Sequence, residues 1–161
     1  MRRRIGITLA AMVCGSTLVA SGASADKIRG TPGDDVLVGS RATDTINGRR
    51  GDDTVRGRGG SDRLIGGAGD DVLHGQRGVD SLTGLRGADV LRGGPGADFA
   101  EDGPGRDLVV LGRGDDRVHT EPDGRTDTIR CGPGNDNVWY WGEPEARDVL
   151  IDCEHVGDWS H

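Results

Sequence analysis

Large side chains are scarce in this chain: one Phe, one Tyr and three Trp among 161 residues, with the whole apolar set at 33%. An ordinary globular core is therefore excluded. Lysine occurs once, at Lys27, and the formal charge is −7, a balance that argues against nucleic acid or an anionic membrane as partner and in favour of cations. Apart from one run near the N-terminus, no apolar stretch approaches the length of a membrane span. Metalloprotease HExxH, nucleophile-elbow GxSxG and phosphate-loop motifs are all missing, so catalysis has no support in the sequence. The four histidines, His74, His119, His155 and His161, show no close pairing and read as surface residues.

The apolar run has the form of an export signal. Arg2-Arg3-Arg4 supplies a positive start, Ile5 to about Ala20 an apolar stretch, and Ala23-Ser24-Ala25 a small-residue cleavage site. Residues 1–25 are therefore expected to be a signal peptide cleaved after Ala25. The mature chain would be residues 26–161, secreted, with a net charge of −10 and no membrane insertion after cleavage. Val13 before Cys14 is too large for a lipoprotein cleavage site. General-secretory and twin-arginine export both suit the arginines.

Beyond the signal, glycine is abundant and a fixed period organises the sequence. Asp35, Asp44, Asp53, Asp62, Asp71, Asp80, Asp89, Asp98, Asp107 and Asp116 stand nine residues apart without a slip. Two residues before each is a glycine, with Ala42 the one break, and two residues after each is an aliphatic residue, from Leu37 through Val118. Each unit divides into a six-residue glycine-rich turn and a three-residue strand whose middle residue faces inward. One unit buries almost nothing, so stability requires stacking. A disordered Gly/Asp-rich chain is the simpler alternative, but it has no need for a phase-locked aliphatic position. Pro32, Pro95, Pro104 and Pro133 fall at the third turn position, outside the strands.

The segment Gly66-Gly67-Ala68-Gly69-Asp70-Asp71-Val72-Leu73-His74 resembles the GGxGxDxUx nonapeptide of RTX, or haemolysin-type, calcium-binding proteins. Gly93 to Glu101 matches when Ala100 is accepted at the apolar position. The resemblance implies an all-β fold, a right-handed parallel β-roll with two nonapeptide units per turn and about six turns. It also implies several Ca²⁺ ions held between successive turns, with the ten period-nine aspartates and Asp136 as ligands. Units two apart stack at about one strand spacing, so Asp35, Asp53, Asp71, Asp89 and Asp107 form one series, joined by Asp127. Asp44, Asp62, Asp80, Asp98, Asp116 and Asp136 form the other. The paired carboxylates Asp34-Asp35, Asp52-Asp53 and Asp70-Asp71 make the first series the richest, and Ca²⁺, which takes six to eight oxygens, is expected there first.

Departures from the pattern are informative. Arg49, Arg58, Gln76 and Leu85 occupy the second position, and Arg41, Arg50, Arg77, Arg86 and Arg113 the third. These arginines either compete with Ca²⁺ for carboxylates or sit solvated on the surface. After Asp116 the register slips by eleven, nine and then twelve residues through Asp127, Asp136 and Asp148. Loss of Cys14 with the signal leaves Cys131 and Cys153 as an even pair in an exported setting, and counting back from Asp148 puts them one turn apart. A disulfide is expected, closing a C-terminal cap over about residues 131–161. Trp139-Tyr140-Trp141 is expected to cover the roll's end, with sugar stacking as the alternative. Two rival readings of the whole are a calcium-shaped cell-surface adhesin that binds cell-wall or extracellular glycan or protein, and an accessory module of an enzyme.

Overall fold

The computed structural model describes residues 17–19, 25–142 and 147–158. Signal residues 1–16 and 20–24, with Cys14 among them, and His161 lie outside the described residues. No helix among the described residues is long and apolar enough to cross a membrane.

Among the described residues, sixteen strands wind into two parallel sheets. The first carries β1 (Thr17–Val19), β3 (Val36–Val38), β5 (Thr54–Gly59), β7 (Val72–Arg77), β9 (Val90–Pro95), β11 (Leu108–Arg113), β13 (Thr128–Arg130) and β15 (Val149–Ile151), paired in that order. The second carries β2 (Lys27–Arg29), β4 (Thr45–Arg50), β6 (Arg63–Ala68), β8 (Ser81–Arg86), β10 (Phe99–Glu101), β12 (Arg117–Thr120), β14 (Asn137–Tyr140) and β16 (His155–Asp158), again each beside the next. Successive strands thus alternate between sheets, and one coil takes two nonapeptides. Val55 pairs with Leu73 and Leu64 with Leu82, a register of 18 residues. This is a parallel β-roll of about seven turns, one more than the sequence suggested, because β15 and β16 extend the stack past the slipped units.

The interior is the predicted aliphatic file. Leu37, Val55, Leu73, Leu91, Val109 and Ile129 from one sheet meet Ile46, Leu64, Leu82, Ala100, Val118 and Val138 from the other, all fully buried. Period-two alternation sends their neighbours outward, as in the intermediate–buried–intermediate sequence of Val72-Leu73-His74. The three-residue strand expected from the repeat is too short for most coils. Strands β4 to β9 and β11 run six residues, because backbone pairing resumes beyond the turn's first glycine, at Arg49↔Gly67 and Arg58↔Gln76. Pro95 accordingly ends β9, at a position where its missing N–H is not required and its carbonyl accepts from the Gly78 N–H at 3.3 Å.

At the second repeat position the backbone is left-handed in the turns from Arg49 to Gly112. Glycine suits it at Gly67, Gly94 and Gly112, whereas Arg49, Arg58, Gln76 and Leu85 adopt φ of 96°, 83°, 77° and 80° at a steric cost. All of the turn arginines named above are exposed, and the ion pair seen among the described residues joins Arg125 to Asp123 at 3.8 Å, within the insertion that lengthens a coil. Solvation, then, is the role of the turn arginines.

Longer coils at the C-terminal end carry registers of 20 residues at Val109↔Ile129 and Val118↔Val138, and 21 at Ile129↔Leu150. Cys131 and Cys153 form a disulfide there, with Cα atoms 5.2 Å apart across a sequence separation of 22. Closing a loop of that size restricts the unfolded chain and stabilises by about 3 kcal/mol. Cys153→Ser is expected to lower the melting temperature of the calcium-loaded protein accordingly; equal melting of variant and parent would contradict this.

The aromatic cluster divides. Tyr140 points inward and is buried, while Trp139 lies on the outer face of the second sheet in register with His119, and Trp141 is exposed. Because β14 is itself covered by β16, the cluster does not close the sheet's edge as the sequence suggested.

Candidate metal centre

Each six-residue turn ends on a repeat aspartate whose carboxylate folds back under the turn. The Asp53 Oδ1 accepts from the Asp35 N–H of the preceding coil at 2.7 Å, and the same bond recurs from Asp53 to Asp71, Asp71 to Asp89 and Asp89 to Asp107. Along the other side, the N–H groups of Asp44, Asp62, Asp80 and Asp98 donate to Asp62, Asp80, Asp98 and Asp116 in turn. Asp107 donates to Asp127 and Asp116 to Asp136, so both files cross the slipped register. Asp148 and Glu154 end the two files. Every predicted site residue from Asp35 to Asp116, with Asp136, therefore stands in one of two continuous rows, at most 3% exposed.

Only one oxygen of each carboxylate is used by this ladder. The Oδ2 atoms of Asp53, Asp62, Asp71, Asp80, Asp89, Asp98, Asp107, Asp116 and Asp136, and Oδ1 of Asp35, are buried without a hydrogen-bond partner. A buried unpartnered carboxylate oxygen is costly unless a proton or cation answers it. The spared Oδ2 atoms of Asp53, Asp62, Asp71, Asp80, Asp89 and Asp98 lie over the first glycine of their own turn. At Gly39, a Cβ would stand 2.7 Å from Asp44 Oδ2, which here accepts from the Ser40 N–H, and 2.6 Å from the Gly57 carbonyl oxygen. Gly57 likewise faces the Gly75 carbonyl at 2.9 Å and Gly93 the Leu111 carbonyl at 2.7 Å, each with its own aspartate beside it. Glycine thus leaves a cradle walled by a carboxylate oxygen and a carbonyl of the next coil. Hard oxygen donors of these two kinds are what Ca²⁺ takes, so the residues fit that ion.

Sequence reasoning gave a role to the glycine two residues before each aspartate and none to the one five before, the first glycine of the GGxGxDxUx motif. Gly30, Gly39, Gly48, Gly57, Gly66, Gly75, Gly84 and Gly93 also recur at nine residues, and that period was the available signal. It ends at Asp102, after which Leu111, Thr120, Cys131 and Tyr140 fill the equivalent inward position and are buried.

Burial dominates the electrostatics. It raises the carboxyl pKa of Asp53, Asp62, Asp89 and Asp116 to about 6, and of Asp71 and Asp98 to about 7. The hydrogen bond from the preceding coil opposes the rise, while adjacent carboxylates of the same file add to it. Asp80 and Asp136 are raised for the same leading reason.

Outside these rows stand exposed Asp34, Asp52 and Asp70, the second carboxylates of the turns expected to bind first. Their Oδ1 atoms accept from the N–H groups of Asp52, Asp70 and Ala88, bracing the outside of the turns. The histidines are dispersed: His74 lies beside Arg92, His119 among aromatic rings, and His155 against Asn135.

No curated protein and no solved structure matches this chain. The family model of the RTX calcium-binding nonapeptide repeat matches residues 21–55, 56–91 and 83–118, the stretch in which the glycine cradles lie. With a match across more than half of its length, the chain belongs to the RTX calcium-binding nonapeptide-repeat family.

Proposed function

We propose that residues 26–161 form a secreted protein that binds several Ca²⁺ ions between its stacked turns and folds as it binds them, residues 1–25 being a cleaved export signal. The carrying observation is the pair of carboxylate files, each with a row of unpartnered buried oxygens above glycine cradles. Without a cation these rows repel, and one inward aliphatic residue per nine offers little burial to oppose that repulsion and the cost of ordering the chain. A ligand that binds only the stacked form shifts the equilibrium by mass action, and nearest-neighbour stacking makes the shift cooperative. Affinities of about 0.1–1 mM suit extracellular calcium. Cleavage after Ala25 would also remove β1, leaving β2 and β3 to begin the roll.

Circular dichroism of residues 26–161 during a Ca²⁺ titration tests this. A cooperative gain of β signal below a few millimolar is expected, weakened by Asp53→Ala with Asp71→Ala and little changed by His74→Ala with His119→Ala. Full β signal in metal-stripped protein at pH 7.5, with melting that calcium does not move, would sink the reading.

One observation favours the adhesin as a second reading. Phe99, His119 and Trp139 follow one another on the outer face of β10, β12 and β14, with ring centroids 5.0 and 5.5 Å apart, and exposed Trp141 lies 6.0 Å from His119. Such a row presents ring faces and edges to a sugar. A cell-wall glycan pull-down that depends on Trp141 supports it, and retention of glycan by Trp141→Ala argues against it.

A further inference from the structure

The glycine cradles stop at Asp102, and what replaces them is chemically different. Asp102, at the start of the turn between β10 and β11, is fully buried in the inward position that Gly48, Gly66 and Gly84 hold in earlier coils of the same file. Its carboxylate lies with those of Asp107 and Asp127, all three buried, with one oxygen from each within 4.8 Å of the others. Asp102 Oδ1 accepts from the Gly103 N–H at 2.8 Å and the Glu121 N–H at 3.4 Å, whereas its Oδ2 has no partner. Asp107 Oδ2 is also unpartnered, while its Oδ1 accepts from Asp89.

We infer that Asp102, Asp107 and Asp127 form a cation site of a second kind, walled by three carboxylates rather than by a carboxylate and backbone carbonyls, and that its ligand is one calcium-sized hard divalent cation. Oxygens on opposite sides of a Ca²⁺ at about 2.4 Å lie about 4.8 Å apart, so the triad has the span of a single coordination sphere. Three buried carboxylates at this separation cannot all remain charged without a positive partner. The leading charges acting on Asp102 and Asp107 are carboxylates, and the relief comes from backbone N–H donors, those of Gly103 and Glu121 at Asp102 and that of Asp89 at Asp107. In keeping with this, burial and the neighbouring carboxylates raise Asp102 to about 7 and Asp107 to about 8. A protein that only needed to fill the cradle had an uncharged solution available, as Leu111 and Cys131 show on the other file.

This inference builds on the calcium reading above, because Asp107 and Asp127 also belong to the repeat file, but it assigns a role to a residue outside the repeat. The test is equilibrium dialysis of the full chain against Ca²⁺ at pH 7.5, counting ions per chain for the parent and for Asp102→Asn, Asp102→Ala and Glu121→Gln. Both Asp102 variants are expected to bind one ion fewer, or to hold one ion at least tenfold more weakly, with the β signal in saturating calcium retained. Glu121→Gln, which removes an exposed carboxylate beside the same turn, should leave the count unchanged. An unchanged number and affinity of ions in Asp102→Asn would overturn the second site while leaving the repeat reading intact, as would an Asp102→Asn protein that folds at lower calcium with no ion lost, since the triad would then be held by shared protons. Failure of the parent chain to bind any calcium overturns both.

Discussion

Metal-free protein is expected to be folded near pH 4.5 and to lose that fold as the pH rises to 7.5. An aspartate in an unfolded chain titrates near 3.9, whereas in the roll burial places Asp53, Asp62, Asp89 and Asp116 at about 6, Asp71, Asp98 and Asp102 at about 7, and Asp107 at about 8. Between about pH 4 and 8 the folded chain therefore holds more protons than the unfolded one, and its stability falls with rising pH. Stabilisation by protonation is complete below the unfolded value and is lost through the folded ones. The eight shifts act in the same direction, and at about 1.4 kcal/mol per unit each is a sizeable part of the stability of an ordinary domain. Under the proposed function, calcium at neutral pH is expected to take the place of those protons. Two measurements check this: circular dichroism of chelator-treated protein from pH 4 to 8, and calorimetry near pH 6.5 in buffers of different ionisation enthalpy, which should show protons released as Ca²⁺ binds. A β signal independent of pH in the metal-free protein would contradict the coupling.

The features legible in the sequence are those that every coil repeats. Asp53 and Asp71 occupy the same surroundings one coil apart, as do Val55 and Leu73, so a nine-residue period with an aliphatic residue two places after the aspartate was enough to place both files and the core. Cys131 and Cys153 could be paired by the same counting. What the period does not carry is the direction of side chains where coils differ. Tyr140 turns inward and its neighbours Trp139 and Trp141 outward because β14 keeps the period-two alternation, a fact obscured by the surrounding slips of register. The inward glycine of each turn was visible as a period but carries no side chain to suggest a role, and only the structure shows that its missing Cβ is the wall of a cradle. Asp102 stands five residues before Asp107, where earlier units carry glycine, and its significance depends on the glycines whose place it takes.

That role for the missing Cβ leads to a large contrast between two glycines of the same file. At Gly66 a Cβ would collide with Asp71 Oδ2 and stand 2.8 Å from both Cβ and Cγ of Asp71, whereas at Gly33 nothing lies within 4 Å. Neither residue has the left-handed φ that would itself penalise a side chain, so backbone strain does not enter the comparison. Gly66→Ala must push the Asp71 carboxylate out of its position beneath the turn, straining its bond from the Asp53 N–H and closing the space above the unpartnered oxygen. Overpacking of a close-packed interior costs about 1–3 kcal/mol, and here the same displacement also moves an oxygen proposed as a cation ligand. Gly66→Ala is therefore expected to raise the calcium concentration at the folding midpoint several-fold and to lower the melting temperature in saturating calcium. Gly33→Ala should change stability by no more than about 0.5 kcal/mol, or raise it slightly by restricting the unfolded chain. Calcium titrations of the two variants side by side decide the matter. Equal midpoints would mean that the glycines serve the turn alone and that the space above them holds no ion.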